Sequence, residues 1–394
     1  MPKQVQGKRT HGWIGIHRGH KARPLEWLAE KAIFGVSLSA ILVVFLIFLF
    51  VASEALPIFL GQMNSALVQD VIPPADFDKH SPEEIRAYLG LSHGEFTTMH
   101  SETVKLLMEV RAETQQGIPK EFREDKDARL NTTRWRHLLA PHQWTGYDKP
   151  EYIWQPVGQI QKYNIVPLFV GSLKTTLVGL LFSVPLAVAA AIYVSQLARP
   201  RVREIVKPGI ELLSGIPSVV VGFFALLVMA TFLQNLFGYQ VRLNAFVAGM
   251  ALGFAVIPIV FSITEDALTS VPRSYTQAAL ALGASRWQTA WQIVLPAALP
   301  GVFAAVVLGF GRAIGETMIV LMVCSASVMS WSFFDSARSI TTTVAAEMLE
   351  TATGGHHYRM LFMLWAVLFA VTFLSNMIAD VVIHRFKRRL EGKR

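Results

Sequence analysis

Six stretches of this chain are long and apolar enough to cross a bilayer, and no water-soluble fold has room for all of them. They run from about Ala32 to Ala52, Val166 to Ser195, Ile210 to Phe237, Leu243 to Ile263, Leu299 to Cys324, and Met360 to His384. A run of roughly 20 apolar residues matches the hydrocarbon thickness of a membrane. Composition supports this: charged residues are 16% of the 394, against about 25% in soluble domains. A soluble enzyme, a disordered chain and a disulfide scaffold are all excluded. The sole cysteine, Cys324, allows no intrachain disulfide and no cysteine-based metal site. The expected fold is an all-α integral membrane protein with six transmembrane helices.

The net charge of +8 points to a direction rather than to nucleic acid. Residues 1–31 hold seven basic and two acidic side chains, 199–207 four and one, and 384–394 six and one. With six spans, these segments share one side, which the positive-inside rule makes cytoplasmic. Both termini are then cytoplasmic. The short loops opposite hold Arg242, Arg338 and Arg359. No nucleic-acid-binding motif accompanies the charge, so no nucleic-acid partner is expected.

The chain divides accordingly. Residues 1–31 form a basic cytoplasmic tail and 32–53 a permanent first anchor; the apolar run is too long, and its basic leader too extended, for a cleaved signal peptide. Residues 54–165 form a polar insertion with 12 basic and 16 acidic side chains, placed outside the cytoplasm by the topology. Residues 166–384 hold the remaining spans, with a polar cytoplasmic loop at about 264–298, and 385–394 form a second basic tail.

Within the insertion, Ser81-Pro82-Glu83-Glu84 is a helix start with a capping box. A second helix is predicted over Ser101 to Gln116, with Val104, Leu107, Met108 and Ala112 on one face and Gly117 as its stop. The insertion reads as a helical cap on the membrane domain, with ligand or partner binding as the alternative. Asn131-Thr132-Thr133 matches a glycosylation sequon.

The loop between spans four and five reads QAALALGASRWQTAWQIVLP from Gln277 to Pro296. Pro272 opens a helix at Arg273, Gly283 supplies a turn, and Ser285 caps a second helix. That helix places Trp287, Trp291 and Val294 on one face, and Pro296 and Pro300 end it before span five. Such a hairpin either lies on the headgroups or acts as a lever that presents a knob to a soluble partner.

Here the chain resembles the permease subunits of binding-protein-dependent ATP-binding-cassette importers. Their loop signature is matched by Ala278-Ala279, three residues, Gly283, nine residues, and Ile293-Val294-Leu295-Pro296. Gln277 stands where the family has Glu, keeping hydrogen-bonding capacity but not charge. The resemblance covers about 166–384. It implies that this loop docks on an ATP-binding-cassette ATPase dimer, which holds ATP and Mg. The chain itself lacks the Gly-x4-Gly-Lys-Ser/Thr phosphate loop. It is therefore expected to be no enzyme and to bind no cofactor of its own.

Span five carries GFGRAIGETMIVLMV from Gly309. Arg312 and Glu316 stand four residues apart on one helix face, either as an ion pair that holds the bundle or as a substrate site in which Arg312 meets an anion. The planar guanidinium suits phosphate. Gly309, Gly311 and Gly315 would let another backbone approach. This segment resembles the phosphate-specific importers, with Met318 closer to their C-type than their A-type subunit. SGIPSVVVGFF from Ser214 and YIWQPVGQIQKYNIVPLFVGSLKTTL, entering span two, resemble them too. The 54–165 insertion is longer than that subunit usually has.

The resemblance implies an A-type partner permease, a periplasmic phosphate-binding protein, and residence among lipids of the bacterial inner membrane with the insertion facing the periplasm. Import of sulfate, molybdate or phosphonate is the alternative, and signalling of phosphate supply a further role. Lys174, near the outer end of span two, either snorkels to headgroups or attracts phosphate at the mouth. His11, His17 and His20 read as solvated rather than metal-binding. His356-His357 reads as an exposed turn, and Asp380 as an interfacial ion pair.

Overall fold

The computed structural model describes residues 24–91, 93–324, 326 and 329–390, with side chains described within residues 29–381. Among the described residues, six helices are long and apolar enough to span a membrane. The chain divides into two units, 1–50 and 51–394. Helix α1 (Pro24–Phe59) runs through the first and into the second. In the first unit its apolar side chains are exposed all round, including Ile33, Phe34, Ile41 and Phe45, the surface of a helix whose solvent is lipid.

In the second unit, the insertion carries α2 (Pro82–Leu89), after a 3-10 turn at Pro74–Lys79. Ser81 Oγ accepts from the Glu84 amide at 3.3 Å, and Glu84 Oε2 accepts from the Ser81 amide at 3.0 Å, which satisfies two amides that the first helical turn leaves free. Helix α3 (Ser101–Gln116) follows, as its periodicity predicts. Val104 and Met108 of α3 meet Ile85 and Tyr88 of α2 in a small core of their own. A two-residue hairpin pairs Trp154 with Tyr163. Those two rings and Leu138 join a larger core with Ile340 and the 360–364 segment, so the insertion packs onto the bundle. The Asn131 sequon is structural: its amide donates to the Met63 carbonyl at 2.8 Å, and Thr132 and Thr133 are buried.

The bundle itself starts with α4 (Val166–Ile192). The expectation that the next span begins at Ile210 is corrected. Residues Pro200–Leu212 form a separate amphipathic helix, α5, and a turn ending at Pro217 separates it from α6 (Ser218–Phe237). Helix α7 (Ala245–Ser270) outlasts its apolar run and carries Glu265 and Asp266. It crosses α4 at glycines: a Cβ on Gly249 would meet the Thr175 carbonyl oxygen at 2.8 Å, and one on Gly179 would meet the Gly249 carbonyl oxygen at 3.1 Å. The close backbone approach expected at Gly309, Gly311 and Gly315 lies here instead. Gly309 and Gly311 face the side chains of Val260 and Asn376, and Gly315 faces its own preceding turn.

Helix α8 (Arg273–Ala281) leads by a short turn into α9 (Arg286–Ile314). Pro296 and Pro300 do not end an element before span five. The chain passes through a π-turn at Ala290–Val294 and continues as helix; such bulges absorb the mismatch that a proline introduces into the hydrogen-bond ladder. Span five is also not continuous to Cys324. It stops at Ile314 with Gly315 as its cap, and a short helix, α10 (Met318–Val323), resumes after Thr317. Helices α11 (Ile340–Glu347) and α12 (His356–Leu390) complete the bundle.

His356 and His357 open α12 and are half-buried rather than exposed. His357 meets Glu347 at 3.2 Å and stacks on Tyr163 with ring centroids 5.9 Å apart, while Arg338 holds the same carboxylate at 2.9 Å. Asp380 is exposed. His11, His17 and His20 lie outside the described residues.

Candidate functional site

The break after Ile314 sets the geometry of the first site. Arg312 ends α9 and Glu316 sits in the interruption. The two still pair, Nη1 to Oε2 at 2.7 Å, but in unlike surroundings: the Arg312 side chain is 49% exposed and Glu316 5%. Thr341 Oγ1 donates to the Glu316 carbonyl at 3.0 Å, which ties the break to α11. Ser339 caps α11, and the Ile340 amide donates to Ser172 Oγ of α4 at 2.9 Å. The non-helical stretch is therefore held from two sides, as irregular backbone at membrane depth must be.

Arg312 lines a cavity of about 460 Å³ between α6, α7 and α9. Ser214 reaches it from the turn before α6, Ser218 from the start of α6, and Pro258 and Ser262 from α7; Glu211 stands in the wall. A guanidinium has five N–H donors. One is used on Glu316, and the others have no partner among the described residues. A cavity with spare charged donors and hydroxyls around it is equipped to take an oxyanion.

Lys174 is not part of this cavity, and it does not snorkel. It is buried, and its ammonium donates to the Ser330 and Ser332 carbonyls at 2.8 Å each. Those bonds fasten the segment between α10 and α11 against α4.

The second site is the α8–α9 hairpin. Its parts form as the sequence predicts. Gly283 makes the turn with φ +88°, a conformation that L side chains rarely adopt. Ser285 forms a capping box with Gln288. Gln277, Ala278, Leu282, Ile293 and Pro296 are exposed, Leu295 is half-buried, and Ala279 is buried against the fold. Leu282 is 90% exposed at the tip. Trp287 and Trp291 stack with centroids 5.9 Å apart and both rings are exposed. Val294 leaves that face and is buried, because the π-turn shifts the register. The tip therefore presents large apolar side chains outside the core, a surface suited either to headgroups or to a protein partner.

Sequence reasoning missed the residues that tie this end together. Glu265 of α7 is 1% exposed and is gripped by Arg203 of α5 and by Lys207 of α5 at 2.7 Å. Arg203 also lines the cleft that Gln277 borders. The available signal was a lone carboxylate at the end of an apolar run, a costly residue unless paired. Ser214, Ser218 and Ser262 were missed because isolated serines carry no spacing signal. Among the described residues, no three His, Cys, Asp or Glu side chains are placed to hold a metal.

A model of the binding-protein-dependent transport system inner membrane component matches residues 183–392, which include both sites. The chain belongs to that family. It is an importer permease subunit, a multi-pass membrane protein and not itself an enzyme. A probable ABC transporter permease protein, YqgH, of Bacillus subtilis strain 168 is 36% identical over 235 residues, 59% of this chain and 76% of that one. The phosphate transport system permease protein PstC of Mesorhizobium japonicum is 32% identical over 256 residues, 60% of this chain and 77% of that one. A structure of the MetNI methionine ABC transporter aligns over 56% of this chain and 94% of its own, at 17% identity and a TM-score of 0.43, too low to bear on function.

Proposed function

We propose that this permease forms half of the translocation pathway of an ATP-driven importer for inorganic phosphate, as its C-type subunit. The observation that carries the reading is Arg312: a guanidinium fixed by Glu316, with its other donors free at a cavity rimmed by serine hydroxyls. The family supports import, and the PstC relatives support phosphate.

In this reading the insertion faces the periplasm and both termini face the cytoplasm. A second, A-type permease covers the exposed face of Arg312, and a periplasmic phosphate-binding protein delivers the substrate. An ATPase dimer, carrying ATP and Mg, docks on the α8–α9 hairpin. Nucleotide and loaded binding protein must each bind one access state better than the other for the cavity to switch sides. Gln277 offers the ATPase a neutral hydrogen-bonding group in place of a carboxylate.

The test is uptake of radiolabelled phosphate by cells that express this chain with its A-type partner, ATPase and binding protein, in the presence of excess sulfate, molybdate or phosphonate. Unlabelled phosphate is expected to compete and the other three to leave uptake unchanged. Dominant competition by any of the three would replace phosphate as the substrate.

The docking role has its own test. Gly283→Val forces a β-branched residue into positive φ, at a cost of about 1–3 kcal/mol at the turn. Nothing lies within 4 Å of the Cβ position, so the fold has space for the side chain. Co-purification of the ATPase should fall several-fold while the permease still folds, its detergent melting temperature lowered by no more than roughly 2–12 °C. Undiminished co-purification would move the docking surface elsewhere.

A further inference from the structure

The insertion contains a second cavity, of about 530 Å³, far along the chain from the transport residues. Arg111 of α3 forms part of its wall and is half-buried. All of its partners are neutral: the Gln69 side-chain oxygen at 2.9 Å, the Leu89 carbonyl at 3.5 Å, and the Tyr88 ring 5.2 Å beneath the guanidinium. Its Nε is buried with no hydrogen-bond partner. Among the described residues no carboxylate pairs with Arg111, although the insertion as a whole is acidic. Burial holds its pKa below the usual arginine value, the mark of a charge whose lost hydration has not been replaced.

His356 lines the same cavity. One ring nitrogen faces the Asn64 carbonyl, and Nε2 is buried and unpartnered. None of the cavity's lining residues is acidic. Gln159 and Gln161 add amides from the β-hairpin, and Leu89, Leu107 and Val110 supply an apolar wall.

We propose that this cavity binds a small organic anion, its phosphate or carboxylate group on Arg111 and His356 and its apolar body against the leucines. A half-buried cation with only neutral partners and a buried, unpaired Nε is disfavoured, and an anion in hydrogen-bond contact offsets that cost. The volume decides the class. Small-molecule sites run to about 300–1,000 Å³, and a bare tetrahedral oxyanion would leave most of this one, and the whole apolar wall, unfilled. The site is independent of Arg312 and of the transported substrate.

The experiment is calorimetric titration of the purified full-length protein in lipid nanodiscs with phenyl phosphate, phenylacetate, inorganic phosphate and phenol. At least one of the two aromatic anions should bind saturably, with phenol at least tenfold weaker, and inorganic phosphate at least tenfold weaker once Arg312→Gln has removed the transport site. Arg111→Gln should weaken the anion at least tenfold. Thr114→Glu guards against misfolding of that variant. Thr114 is exposed, lines the cavity, and lies one helical turn from Arg111, so a glutamate there supplies the missing carboxylate without touching the core. It should weaken the anion to a similar degree. Arg312→Gln should leave binding unchanged. The proposal is overturned if neither aromatic anion binds, if phenol, or inorganic phosphate added to the Arg312→Gln variant, binds as tightly, if Thr114→Glu leaves the affinity unchanged, or if Arg312→Gln abolishes binding of the aromatic anion.

Discussion

Arg312→Gln is expected to lower phosphate uptake at least about a hundredfold while the complex still assembles and hydrolyses ATP. Two charge-assisted hydrogen bonds to a bound anion, at about 1.5–3 kcal/mol each, set that scale. The substitution has a second effect that must be separated from the first. Glu316 is 5% exposed and Arg312 is its ion-pair partner, so glutamine at 312 leaves a buried carboxylate without its counter-ion. Loss of one partner of a buried pair costs about 3–5 kcal/mol; the half-exposed Arg312 puts this pair at the low end. The double variant Arg312→Gln, Glu316→Gln removes both charges and should recover most of the lost melting temperature.

If Arg312 meets substrate, uptake stays absent in the restored double variant. If the pair only holds the break after Ile314 in place, uptake returns with stability. Arg312→Lys adds a third reading. It keeps a cation beside Glu316 but loses the planar fork, so it should fold normally and transport poorly. Uptake rates in proteoliposomes, beside melting temperatures in detergent, distinguish all three outcomes.

What the sequence showed and what it hid divide along physical lines. The start of the hairpin, residues 273–289, was legible because its signals are local: a proline before Arg273, a glycine that must adopt positive φ at 283, and a serine three residues before Gln288. The Ser81 box and the Ser101–Gln116 helix formed for the same reason. The break at Gly315 was not legible, because Leu299–Cys324 is apolar enough overall to read as one span and hydropathy does not register whether an apolar run stays helical. The interruption is stabilised from outside the run, by Thr341 on the Glu316 carbonyl and by the capped start of α11.

Lys174 was misread for a related reason. Its position at a span end favours snorkelling, but its acceptors are the carbonyls of residues 330 and 332, more than 150 positions away. The start of span three was misplaced because Ile210 and Leu212 belong to the apolar face of α5. Only the turn ending at Pro217 separates that face from α6.

The same long-range character makes the Glu265 cluster the other large effect. Glu265 is buried in α7 and held by two cations of α5 that remain partly exposed. The Glu265 hydrogen bond holds the Lys207 pKa above its ordinary 10.5. A cation with a raised pKa contributes stability throughout neutral pH and loses it only as the pH climbs past that value. Arg203→Ala or Lys207→Ala alone leaves Glu265 one counter-ion, so each should cost about 1 kcal/mol. The double variant leaves a buried, unneutralised carboxylate and should cost about 3 kcal/mol, the low end for a broken buried pair because both cations are solvated. In a domain of this size that corresponds to a fall of roughly 6–12 °C in melting temperature, well beyond the sum of the single losses.

Glu265→Gln added to the double variant removes the stranded charge and should restore part of the loss. Strict additivity of the two alanine variants would mean that the cations act separately. Loss of ATPase co-purification by the double variant, at a temperature where it remains folded, would show that α5 also sets the position of the hairpin, since Arg203 and Gln277 border the same cleft. Retained co-purification would confine the cluster to holding α5 against α7.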